Sequence, residues 1–396
     1  MKYIHTIRFR INDSIFKVIT VFFVVCSIPL FFNSCRKKIN EEQDHPVLYA
    51  SLDEKKISME KLFDKIEIIP LETTDQSLIR SISQYNYWDG KHYILDASQY
   101  ILFIFDDDGH YIDRIARVGQ GPGEYKYIYD FVLNPDNGQI EMLSPFKYIY
   151  CYDFSGNFIK RHDLTYLPQA SIQRFEVLDD QNYIVWTSPE DGQDAICIIS
   201  REDGKTVNSF WQDLFIINVW GGDVFHACNQ ETYFALPLYN RVYKATKDGY
   251  EIAYEWNFGN KTMDITKYKI STGMYNINKD SENLREKFKN REISYLIRYN
   301  FQNSRYCYAM LLYEMITRKH LFYDRETGES YFFERPVEDV KLYPIYFSDT
   351  FMIGTSFDDD KNNLLNCALL DETGKKKLQS LKEDDNPYII KYYFKK

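Results

Sequence analysis

The extended uncharged apolar stretch near the start, Val18 to Phe32, has only 15 residues and contains Pro29, fewer than the ~18 or more that a spanning helix takes. A permanent transmembrane helix is therefore the weaker reading. Cysteine is sparse and dispersed: beyond Cys35, the chain holds Cys151, Cys197, Cys228, Cys307 and Cys367, with no CxxC pair and no Cys/His cluster. A structural zinc site needs such a cluster, so none is expected, and an odd number of thiols at wide spacing reads as small core residues within strands. The seven histidines form neither HExxH nor HxH, and there is no GxSxG elbow and no Walker loop. No cofactor or metal is expected on these grounds. A positive excess is lacking too, with 48 Lys and Arg against 58 Asp and Glu, which argues against nucleic acid and against adhesion to anionic lipid.

The start of the chain carries Lys2, Arg8, Arg10 and Lys17 against Asp13 alone, followed by the apolar stretch. That is a secretory leader pattern. Ser34-Cys35 and then Arg36-Lys37-Lys38 follow. This resembles a bacterial lipobox, which implies removal of residues 1–34, acylation of Cys35 and a membrane anchor through its fatty chains. Losing four positive and one negative side chain takes the formal charge from −10 to −13. The expected organisation is a signal peptide over 1–34, a linker over 35–58 and one domain over 59–396.

The domain is read from a repeat. Six polar turns with a glycine recur between apolar runs, at Gly109, Gly156, Gly204, Gly249, Gly328 and Gly374, and the intervals are 47, 48, 45, 79 and 46 residues. Glycine at such turns supplies the positive φ of tight hairpins. Runs such as Tyr100-Ile101-Leu102-Phe103-Ile104-Phe105 flank them, and the chain holds 34 Tyr and 28 Phe, as strands packed between sheets prefer. A period near this length fits one four-stranded blade. The prediction is an all-β, six-bladed propeller, with a partly helical insertion near 261–303 (a helix from Ser281 to Phe288) accounting for the long interval. Lys65 to Leu71 and Tyr388 to Phe394 are left over, and they are expected to meet in one shared blade that closes the ring.

Val118-Gly119-Gln120-Gly121-Pro122-Gly123-Glu124-Tyr125 resembles the GxGPGEY signature of the six-bladed propeller lipoproteins of the Bacteroidetes, many of unknown function. Pro70-Leu71-Glu72-Thr73-Thr74 and Asp385-Asn386-Pro387 are weaker elements of the same resemblance. It implies the fold and export to the cell envelope, and it leaves the chemistry open.

The glycine-rich loop reads either as a backbone nest for an anion or as a rigid connection between blades. In the first case Arg117, Glu124 and Tyr125 are the binding side chains. A ligand over the central channel would meet residues expected on the inner strands, such as Asp96, Ser144 and Trp186, beneath the insertion. Acidic turns at Asp106 to Asp108 and Asp358 to Asp360 read as calcium sites or as solvated tips. Trp88, Trp186, Trp211, Trp220 and Trp256 read as sugar platforms or as packing between blades. The expected function is an anchored binding or interaction module at the periplasmic or outer-membrane surface, with a glycan, peptide or protein as ligand. The alternative is a propeller enzyme, a lyase or hydrolase acting on a glycan or peptide.

Overall fold

The computed structural model describes residues 45–169, 171–187, 193–211, 224–236, 239–263, 282, 285–314, 316–355 and 360–396. Among them run 25 strands in six sheets. After β1 (Val47–Tyr49) and β2 (Phe63–Pro70), the first blade is β3 (Gln84–Trp88), β4 (Lys91–Asp96), β5 (Ile101–Asp106) and β6 (Tyr111–Ile115). The second is β7 (Asp130–Asn134), β8 (Gln139–Ser144), β9 (Tyr148–Asp153) and β10 (Phe158–Asp163). The third is β11 (Ile172–Val177), β12 (Asn182–Thr187), β13 (Ile196–Ser200) and β14 (Thr206–Phe210). The fourth is β15 (Phe225–Cys228), β16 (Glu231–Phe234), β17 (Arg241–Thr246) and β18 (Gly249–Asn257). The fifth is β19 (Tyr295–Gln302), β20 (Tyr306–Tyr313), β21 (Thr317–Asp324) and β22 (Ser330–Phe333). The sixth takes β23 (Pro344–Phe347), β24 (Phe351–Thr355) and β25 (Tyr388–Phe394) from the end of the chain and β2 from its start.

The first strand of each blade touches that of the next, from β3 through β7, β11, β15 and β19 to β23 and back to β3. This is a closed six-bladed propeller, as the repeat predicts. The expected closure is also observed: β2 and β25 pair antiparallel from Phe63 opposite Phe394 to Pro70 opposite Tyr388. The two weaker family elements meet beside this seam. Buried Asn386 donates Nδ2 to the carbonyls of Glu72 and Ser77, each at 2.8 Å, and its Oδ1 accepts from the Ile79 amide at 2.8 Å.

The core is not one mass. It divides into six layers, one between each pair of neighbouring blades. Side chains of a strand alternate between its two faces, so β4 sends Tyr93 and Leu95 toward the second blade and Ile94 toward the sixth. This explains why the second strands read as continuous apolar runs. Each fully buried aliphatic or aromatic side chain contributes about 1.5–3 kcal/mol.

Three expectations change. Five of the glycine turns are hairpins between third and fourth strands, but Gly374 lies in helix α2 (Glu372–Ser380), which follows α1 (Lys361–Asn366). The outer strand of the sixth blade is β2, so that blade has no such hairpin to make. Asp371 instead caps α2, its side chain accepting from the Gly374 amide at 2.7 Å, and an Asp three residues before a Gly serves a cap as readily as a turn. The insertion ends before 303, because β19 begins at Tyr295; residues 285–289 are helical, whereas Ser281 lies outside the described residues. The segment expected as a linker to 58 is already engaged, with β1 pairing in parallel with β18 and the Lys55 amide donating to the Phe332 carbonyl at 2.9 Å.

Candidate functional site

The glycine-rich loop uses its own polar groups. Gly119 donates to the Tyr125 carbonyl at 3.0 Å and Tyr125 to the Arg117 carbonyl at 2.9 Å. The Glu124 carboxylate accepts from the Gly121 amide at 2.8 Å, and it lies so close to Gly119 that a Cβ there would stand 2.0 Å from Oε2. Tyr125 is fully buried; its hydroxyl lies 2.9 Å from the Tyr100 carbonyl and 3.0 Å from that of Ile115, and accepts from the Arg117 amide at 3.2 Å. Arg117 donates to the Gly156 carbonyl at 3.2 Å on the next blade. Of the two sequence readings, these contacts are those of a rigid connection between the first and second blades.

Asp96, Ser144 and Trp186 stand on β4, β8 and β12, the second strands, rather than on the inner ones. All three are buried. Asp96 accepts from the Arg80 and Ser81 amides and from Ser98 and Gln99. Burial raises its carboxyl, and these hydrogen bonds outweigh burial and leave it below its ordinary value. Trp186 packs in the layer between the third and fourth blades. Trp256 is fully buried and donates to Asn300 at 3.0 Å, Trp88 stacks on Phe154, and Trp211 stacks on Tyr250. Trp220, Cys35, Asp358 and Asp359 lie outside the described residues. In the other acidic turn, Asp107 accepts from the Tyr87 hydroxyl at 2.8 Å and from Lys391 at 3.1 Å across the interface between the first and sixth blades. Among the described residues no three His, Cys, Asp or Glu side chains are grouped to hold a metal ion, and the five described cysteines are free thiols.

Among the described residues, two recesses stand out. The first is the central channel, a cavity of about 180 Å³ walled by all six inner strands. An inner strand has one edge without a neighbour, and side chains of the adjacent blade serve its amides there. Gln84 accepts from Phe131 at 3.1 Å, and Asp130 accepts from Phe175 at 2.9 Å. The lining also holds Arg174, Glu176, His226 and Gln302. Burial pushes the Glu176 carboxyl up to about 8 and the His226 imidazole down to about 3, the latter with help from Arg325. The imidazole is thus neutral at pH 7, and the carboxyl value lies close to that pH. The buried His226 Nε2 and Gln302 Nε2 have no hydrogen-bond partner.

The second recess, about 790 Å³, opens between the second, third and fourth blades on the face carrying the turns before β8, β12, β14 and β18. Behind its wall, Glu141 on β8 is fully buried. It accepts from Asn134 at 2.8 Å, from Arg201 at 2.7 Å and from the Tyr183 hydroxyl. The Arg201 guanidinium lies 4.4 Å over the Tyr183 ring. No motif announces this group. The signal present in the sequence is a lone acid inside Gln139-Ile140-Glu141-Met142-Leu143, a run otherwise fit for burial, since a buried carboxylate requires a partner.

Comparison with curated proteins finds no match. Among solved structures, a Bacteroides fragilis protein described as exported superposes with a TM-score of 0.69 at 15% identity, covering 88% of this chain and all of that one. A Bacteroides vulgatus protein of the DUF4221 family gives 0.50 at 12% identity, over 84% of this chain and 98% of its own. At such identities the likeness is one of fold. The model of a domain of unknown function, DUF4934, matches residues 45–393, and the chain belongs to that family.

Proposed function

We propose that the chain is an exported binding module, held at the cell envelope by an acyl anchor on Cys35 and taking a small polar ligand, or the polar end of a larger one, at its central channel. The observation that carries this reading is the convergence of all six inner strands on one cavity that sets polar side chains such as Gln84, Asn86, Gln302 and a neutral His226 among aromatic ones. Asp130 is already engaged by two backbone amides. The His226 ring, its value far below pH 7, is suited to hydrogen bonding rather than to proton transfer there, whereas Glu176, at about 8, is the lining group whose value lies near that pH. The cavity of about 180 Å³ equals roughly six water volumes of ~30 Å³ each, which limits what can enter. The leader and the residues around Cys35 support export and anchoring.

The test has two arms. Cells expressing the full chain incorporate a fatty-acid label into the wild type and not into Cys35→Ser; equal labelling of both overturns the anchor. A thermal-shift screen of small neutral sugars, amino acids and short peptides is run on the wild type and on Ala227→Phe, which fills the channel from β15. Ligands that raise the melting temperature of the wild type lose that effect in the variant. Equal shifts in both overturn the channel as the site.

A further inference from the structure

We propose that the recess between the second, third and fourth blades is a second binding site, independent of the channel, and that it takes a neutral saccharide. Three side chains of its wall each carry a buried polar atom without a hydrogen-bond partner: Gln139 Oε1, His162 Nε2 and Arg201 Nη1. Arg201 is only 6% exposed. Buried polar atoms are as a rule satisfied, and an exception calls for a ligand or an ordered water. Here three exceptions share one recess, and its volume of about 790 Å³ falls within the range of roughly 300–1,000 Å³ usual for small-molecule sites.

The chemistry of the wall selects the ligand. Arg201 is fixed by Glu141 on one side and by the Tyr183 ring beneath it, so little side-chain freedom remains to be lost when its second terminal nitrogen donates to a ligand. The charge of that guanidinium is already matched by Glu141 at 2.7 Å. A carboxylate arriving at Nη1 would place a second negative charge beside a buried one, whereas a hydroxyl oxygen leaves the pair balanced. Gln139 Oε1 is an acceptor and demands a donor, which a carboxylate cannot supply. A hydroxyl both donates and accepts, so adjacent hydroxyls satisfy Arg201 and Gln139 together. His162 completes the set as a neutral ring, because burial and then Lys160 hold its imidazole below the ordinary value. The rim has both signs, Lys160 and Lys247 against Asp180, Glu202 and Asp248, and its excess of one negative charge does nothing to draw an anion.

The experiment uses the full chain, with galactose, glucose, mannose and their disaccharides as probes and galacturonate as the acid matched to galactose, followed by saturation-transfer NMR and calorimetric titration. At least one neutral sugar binds, and galacturonate binds at least about tenfold more weakly than galactose, the scale of one lost hydrogen bond. Val207→Trp, at an exposed residue of the recess, and Gln139→Leu each weaken the sugar by about tenfold or more. Ala227→Phe in the channel leaves recess binding unchanged, which separates this site from the channel reading. Stronger binding of galacturonate overturns the ligand class. Binding that survives Val207→Trp overturns the site, and no binding of any neutral sugar at millimolar concentration overturns the proposal and leaves the recess to water.

Discussion

Replacing Arg201 with methionine removes the charged partner of a carboxylate that is wholly buried. Glu141 then keeps only the Asn134 amide at 2.8 Å and the Tyr183 hydroxyl. Leaving one member of a buried ion pair uncompensated costs about 3–5 kcal/mol, and the two remaining donors put the expectation near the lower end, about 3. With a urea slope of about 3 kcal/mol per molar, the unfolding midpoint falls by about 1 M. The stricter test is a change of sign. In the wild type, Glu141→Gln strips the guanidinium of its counter-charge and destabilises. In the Arg201→Met background the same substitution removes the orphaned charge, keeps an acceptor for Tyr183, and stabilises. Urea unfolding of the four proteins, followed by tryptophan fluorescence, measures all the terms of this cycle. The reasoning is refuted if Arg201→Met costs less than about 1 kcal/mol, or if Glu141→Gln shifts stability in the same direction in both backgrounds.

Gly109→Ala places a Cβ 2.1 Å from the Pro70 carbonyl oxygen, at a φ of +90°, whereas Gly138 at +64° has open space around it; calorimetry is expected to show a loss of several kcal/mol for the first and about 1 for Gly138→Ala. Tyr125→Phe deletes the hydroxyl that serves three backbone groups and lowers stability by roughly 1–3 kcal/mol without altering binding at either recess, as unfolding and titration together will show. Burial holds the imidazoles of His226 and His320 down at about 3. The unfolded chain therefore binds more protons below about pH 6.5, and stability falls as the pH drops from there toward 3. His320→Gln flattens that slope. Glu176 acts in the opposite direction, since its folded value of about 8 lies above the unfolded one of about 4.3; its contribution is lost as the pH rises between those two values, and Glu176→Gln removes the loss in melting curves at pH 5 and pH 8.

The blade count and the closing seam were legible because they rest on local chemistry. A third-to-fourth hairpin needs positive φ, glycine provides it, and five blades repeat the requirement at Gly109, Gly156, Gly204, Gly249 and Gly328. The sixth recurrence, at Gly374, fell near the same period while belonging to a helix cap. The channel was misplaced for a physical reason. Asp96, Ser144 and Trp186 end or interrupt the most apolar runs, and those runs are second strands packed on both faces. The true inner strands, such as Gln84 to Trp88 and Ile172 to Val177, are more polar because one edge of each meets the channel. The recess around Arg201 brings together residues as far apart in sequence as Gln139 and Asp248. Some of them, such as Glu202 and Lys247 before Gly204 and Gly249, keep the blade period, but their chemistry does not repeat from blade to blade, and only the fold assembles the recess.

The division of the core into six separate layers also bears on how such a chain can change. A domain with one central core must alter many contacts together when a large residue is exchanged. Here an exchange is felt within a single layer and stops at the hydrogen-bonded sheet on either side. Each layer can drift by its own compensations while the ring keeps its shape. Such independence is in keeping with a likeness of fold that extends over 88% of this chain at 15% identity.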